Sequence, residues 1–214
     1  MREYQLDLDS LLLQLQVKLQ KRNPKIFSKD LRSFLSQEMH EDKNILTIGG
    51  LRDYRKYIKK AFSVKPVENR GDYLIVGMYR MFYQAFDRDK FHKISALQYD
   101  PEKIQRAYAI LQVISWKIKT AKDKNGNYLF LTWQNNWQVE LQRRLNEGKK
   151  LSMKLINSLK YIKDKKESLL SASNLSFESI FGKMFFVFQK ALKTVGVEPK
   201  SLGAEALKNF IMFL

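Results

Sequence analysis

Cysteine is absent from this chain, which excludes disulfides, thiolate metal ligands and a cysteine nucleophile. Histidine occurs only at His40 and His92, which excludes a three-histidine zinc site. Proline is limited to 4 positions and glycine to 9, so few breakers interrupt the 214 residues and helices are favoured. Long apolar runs are missing too. None exceeds the length of Met184-Phe185-Phe186-Val187-Phe188, far below the roughly 20 residues of a spanning helix. The opening Met1-Arg2-Glu3-Tyr4-Gln5 does not lead into a leader-like apolar stretch, and Leu11-Leu12-Leu13 is too short for one. No transmembrane segment is therefore expected, and the cytoplasm is the expected compartment.

Catalytic motifs are equally scarce. The HExxH, GxSxG and Walker patterns do not occur, and Gly49-Gly50 alone is a weak signal. Asp87-Arg88-Asp89 with His92 groups hard ligands, but the interleaved Arg88 and Lys90 favour a solvated loop. Asp100-Pro101-Glu102-Lys103 reads as a helix start, with Asp100 as cap and proline in the first turn. No enzyme, cofactor or metal is expected.

What the sequence does have is positive charge. Lysine and arginine total 39 against 22 acidic residues, a net charge of +17. The first fifty residues are nearly neutral, with 8 basic and 7 acidic groups, so almost all of the excess lies after residue 50. Such a surface attracts polyanions: nucleic acid, an anionic membrane or an acidic protein. Lysine outnumbers arginine 28 to 11, as compositional drift alone would also give.

The periodicity predicts an all-α protein, a multi-helix bundle of about eight helices in one domain over 1–214. Subdivision near 64–72 or 146–150 is the alternative. Helices are expected at 8–22, from a Ser28 cap to Met39, at 51–62, from an Asp72 cap over 73–86, and from Pro101 onward. Phe130, Trp133, Trp137, Leu141 and Leu145 then keep helical spacing. Leu151, Leu155, Leu159 and Ile162 mark a further core-facing helix, 177–195 another, and 202–213 a terminal one. The stretch 116–133 is ambiguous. Alternation at Trp116-Lys117-Ile118-Lys119-Thr120 and the Asn125-Gly126 turn signal make a short β-hairpin the runner-up to a helical hairpin.

One segment concentrates the charge. Arg52, Arg55, Lys56, Lys59 and Lys60 recur at helical spacing, opposite Leu51, Tyr54, Ile58, Ala61 and Phe62. Like charges so placed repel by a few tenths of a kcal/mol per pair, a cost that an anionic partner would relieve. Tyr57, between the two stripes, is the candidate to stack on an unpaired base. Arg143, Arg144, Lys149 and Lys150 form a second basic group, followed by Lys160, Lys163, Lys165 and Lys166. Trp133 and Trp137 are expected in the core, as aromatics at helical spacing usually are.

These features predict a non-catalytic nucleic-acid-binding protein, with DNA or RNA held mainly by its phosphate backbone, such as a subunit of a nucleoprotein assembly. The alternative is a protein-interaction or assembly subunit docking through Phe-rich C-terminal helices by Phe186, Phe210 and Phe213. Peripheral membrane binding by the same helices is the third reading.

Overall fold

The computed structural model describes residues 1–41, 47–88, 95–132, 134–169 and 175–202. Within them lie α1 (Arg2–Arg22), α2 (Leu31–Glu41), α3 (Tyr54–Ala61), α4 (Arg70–Ala85), α5 (Pro101–Thr120), α6 (Asn136–Asn146), α7 (Met153–Ser158), α8 (Lys160–Lys163) and α9 (Leu175–Thr194). No strand occurs among the described residues. The chain is thus a multi-helix, all-α protein.

The central element is α4, in which every residue except Gln84 is buried. Helix α3 lies along one side of it, while α1 and α5 flank it and α9 closes over both. Leu8, Leu12, Leu15 and Leu19 point inward from α1 at four- and three-residue spacing. From α9, Phe177, Phe181, Met184 and Phe188 are fully buried, and Phe188 packs its ring against Phe82, Phe86 and Tyr108. The α3–α4 approach is close because α4 carries Gly77 there. A β-carbon at Gly77 would lie 2.9 Å from Tyr57 Cβ and 3.2 Å from Ile58 Cγ1.

A buried ion pair ties the end of α4 to α1. Arg88 Nη1 and Nη2 donate to the two Asp9 carboxylate oxygens at 2.8 and 2.9 Å, and Nη2 also donates to the Gln5 carbonyl. Both partners are almost fully enclosed. Breaking such a pair by removing one side leaves an uncompensated buried charge.

Several expected boundaries move. The first helix starts at Arg2, six residues early, because its polar first turns carry no apolar period. Ser28 does not cap α2: its backbone N–H donates to both Asp72 carboxylate oxygens, at 3.1 and 3.2 Å. Asp72 is therefore not a cap either; α4 begins two residues before it, after Asn69 in the left-handed region. The Asp100 cap is as expected, accepting from the N–H groups of Glu102 and Lys103.

The 116–133 stretch combines parts of both readings. Helix α5 continues to Thr120, and the chain then turns back at Asp123–Asn127, with one isolated antiparallel bridge between Lys122 and Tyr128. Asp123 fixes this turn by accepting from the N–H groups of Asn125 and Asn127. Helix α6 begins only at Asn136, after a capping box formed by Asn135 and Gln138.

Helices α6–α8 differ from the rest. They pack chiefly on one another, and none of the three has a buried residue. The expected core-facing helix over 151–162 is broken in two, with Leu151 65% exposed and only Leu159, at the break, buried. Glu167 pins the start of α6, accepting from Asn136 N and Nδ2 and from Trp137 N. A carboxylate there also complements the helix dipole. The expected terminal helix at 202–213 lies outside the described residues save for its first position, as do Trp133 and the loop site at Asp89 and His92.

Candidate nucleic-acid interface

The basic segment 52–60 folds as an eight-residue helix whose start is set by Asp53, which accepts from the Arg55 N–H at 2.9 Å. At about 100° per residue, Arg55, Lys56, Lys59 and Lys60 occupy an arc roughly 140° wide. Tyr54, Tyr57, Ile58 and Ala61 occupy the opposite arc and are buried. The four helical cations and Arg52 are all exposed. Arg52 precedes the helix, so it flanks the stripe rather than belonging to it.

None of these five cations forms an ion pair among the described residues. The nearest acid, Asp53, has its carboxylate engaged as the cap. Two contacts are made to aromatic neighbours instead. Lys60 Nζ donates to the Tyr73 hydroxyl at 2.8 Å and lies 4.2 Å from that ring's centre. Arg55 lies over the Tyr54 ring and meets its hydroxyl, which holds the guanidinium above its ordinary pKa.

The stacking role expected for Tyr57 is corrected. Its side chain is fully buried, and its hydroxyl is doubly engaged. It donates to the Leu51 carbonyl and accepts from Ile48 N, each at 2.8 Å. The phenol thereby pins the Gly49-Gly50 turn that leads into α3. At the edge of the apolar arc, Tyr57 faces α4, so its ring is not available to a base.

Sequence reasoning missed what holds this helix in place. Two buried arginines of α4 grip the backbone at its two ends. Arg70 donates to the carbonyls of Ala61, Ser63 and Lys65, at 2.6, 2.8 and 2.9 Å, just past the C-terminus of α3. Arg80 Nε donates to the Arg52 carbonyl at 3.0 Å, just before the N-terminus. A guanidinium suits the first position because the carbonyl end of a helix carries partial negative charge. Burial lowers the Arg70 pKa, but an arginine stays charged regardless.

Beside α3 a cleft of about 330 Å³ is lined by Arg55, Lys103 and Arg106 with Tyr54 and Tyr83. Lys103 is paired there with Asp87. Arg106, like Arg55, makes no ion pair among the described residues. Arg55 is thus brought near cations of α5 that no linear pattern links to it.

The second basic group is arranged otherwise. Arg143 pairs at 3.6 Å with Glu147, the residue that follows α6, and Arg144 at 3.9 Å with Glu140 within it. Lys149 and Lys150 are exposed beyond its end, and Lys166 lies 3.8 Å from Asp164. The main helix contacts of α3 are with α4, whereas those of α6 are with α8, so the two groups stand on separate parts of the molecule. Trp137 is half-buried rather than core, and with Tyr128 and Lys119 it borders an open cleft of about 430 Å³.

Of the docking residues, Phe186 is 56% exposed on α9, with Lys190 Nζ 4.5 Å from its ring centre. Phe210 and Phe213 lie outside the described residues. No helix among the described residues is long and apolar enough to cross a membrane. No protein-family model, curated protein or solved structure matches the chain.

Proposed function

We propose that this protein binds nucleic acid without catalysis, through phosphate contacts made by α3 and the cations beside it. The observation that carries this reading is the set Arg52, Arg55, Lys56, Lys59 and Lys60. They are exposed together, none of them in an ion pair among the described residues, on a helix gripped at both ends. Phosphates would relieve their mutual repulsion and release counterions from the strand. Base edges would contribute little, since Tyr57 is in the core and the exposed groups are mostly lysines.

Fluorescence anisotropy with labelled single- and double-stranded oligonucleotides, titrated against salt, tests the reading. The logarithm of the affinity is expected to fall steeply with the logarithm of salt concentration. Replacing the five cations by glutamine should flatten that slope by about 3.5 to 4.5, at roughly 0.7–0.9 per lost phosphate contact. Failure of the intact protein to bind DNA or RNA at low salt defeats it. Partner docking through α9 is the second reading and rests on exposed Phe186. It expects a dimer or a co-purifying protein that Phe186→Ser releases.

A further inference from the structure

A third cleft, of about 590 Å³, lies where the end of α1 meets α6 and α8. Lys21 and Arg22 line it from α1, and Arg143 and Lys160 from the opposite side, with Tyr161 beside them. Glu140 is the one carboxylate in its lining, and both of its recorded contacts lie within the 136–163 segment. It accepts from the Lys160 backbone N–H at 2.9 Å and pairs with Arg144. No ion pair among the described residues crosses the cleft, and its four cations outnumber the single carboxylate of its lining. Lys21 and Lys160 have no acidic partner at all among those residues.

The wall from α1 is fixed. Arg22 donates to the Gln134 carbonyl, and burial lowers its pKa, with Glu167 acting in the opposite direction. The other wall is weakly seated, because α6–α8 bury no helical residue and α6 has a second open cleft on its far side. Arg143 is offset by Glu147, but Lys21 and Arg22 on the fixed wall and Lys160 on the loosely packed one still repel, and the two walls would be drawn together by an anion able to reach both. Guanidinium and ammonium groups from two sides suit phosphate, the arginines as forks and the lysines as point charges.

We propose that this cleft binds phosphate groups and that a bound phosphate chain clamps α6–α8 onto the end of α1. The site is separate from α3. Only the assignment of those phosphates to a nucleic-acid strand, rather than to a free phosphorylated compound, rests on the function proposed above.

Hydrogen–deuterium exchange on the full chain tests it, with inorganic tripolyphosphate in one arm and a short single-stranded oligonucleotide in the other. At ten times its Kd, tripolyphosphate is expected to slow exchange across 136–163 by about tenfold. A K21Q/K160Q variant should lose that protection; both side chains are exposed and free of recorded bonds, so the fold should survive. The variant with five glutamines on α3 should keep it. Protection by tripolyphosphate but not by the oligonucleotide supports the cleft, assigns it to free phosphorylated compounds and overturns a nucleic-acid strand as its occupant, leaving the α3 reading to the anisotropy titration. The proposal is overturned if neither probe protects 136–163 in the intact protein. It is equally overturned if K21Q/K160Q is protected as before, or if the α3 variant loses the effect.

Discussion

The cations of α3 stand on a helix pressed against the most deeply buried element of the protein and gripped at each end by an arginine. Those of α6 stand on a helix with no buried residue and pair with glutamates one turn away. Both segments read as dense basic runs, yet one has its charges unmatched on a firm support and the other has them matched on a loose one. Charge density along a chain therefore does not identify a binding face. What separates the two is where the acids fall and what lies beneath the helix. Acids spaced four residues away are visible in the sequence, as with Glu140–Arg144 and Arg143–Glu147. The support is not visible, because it comes from α4.

This contrast can be broken most forcefully at Arg70. Arg70→Ala strips three charged hydrogen bonds from the end of α3 and should cost about 3 kcal/mol in urea unfolding. A cost near that of an ordinary surface change would mean that the arginine grip is not what supports α3. Gly77→Ala comes next. Its new methyl group meets Tyr57 Cβ and the Ile58 backbone, which cannot rotate away. Overpacking of this kind costs about 1–3 kcal/mol, partly offset by the roughly 1 kcal/mol helix-propensity gain of alanine over glycine. Thermal unfolding should show a net loss, and a stabilised variant would contradict the close α3–α4 contact.

A smaller effect, opposite in sign, is expected at Asp72. Burial raises its pKa despite the hydrogen bonds from Ser28. The folded chain then holds this proton more tightly than the unfolded chain. Its contribution is fully present below the ordinary aspartate range and is lost as pH rises through the raised folded value. Asp72→Asn should therefore be at least as stable as the parent at pH 7 and flatten the stability profile across that window. A variant that loses more stability at pH 7 than in acid would show that the Ser28 bonds outweigh burial. Smallest of all, Arg143→Gln should change stability by no more than about 0.5 kcal/mol, as exposed ion pairs do. A loss comparable to that at Arg70 would erase the distinction between the two regions.

The sequence was most legible where local chemistry sets a boundary. Asp100-Pro101 starts α5 as read, and the helix expected over 177–195 is α9, with Gly196 at φ 81° just past its end. It misled where apolar spacing continued across a non-helical connection. Phe130 and Trp137 keep helical spacing, but the described residues between Phe130 and Asn136 are not helical, and the local signal for α6 was the Asn135–Gln138 capping box. The α3 cations were found from their spacing, as was the apolar arc opposite. The burial of Tyr57 depended on α4 approaching through Gly77, a long-range fact. So did the roles of Arg70 and Arg80, since nothing in a sequence marks an arginine whose partners are backbone carbonyls. Lys21, Arg22 and Lys160 went unlinked for the same reason: more than a hundred positions separate them along the chain.

The grip on α3 has a chemical asymmetry. The groups that hold the helix are arginines, whose charge no physiological pH removes, and both are buried out of reach of a modifying enzyme. The groups it presents are mostly lysines: Lys56, Lys59 and Lys60 are all exposed. Acetylation would cancel three of the five outward charges and loosen Lys60 from Tyr73, leaving both arginine clamps untouched. The outward face can thus be silenced while the helix stays in place.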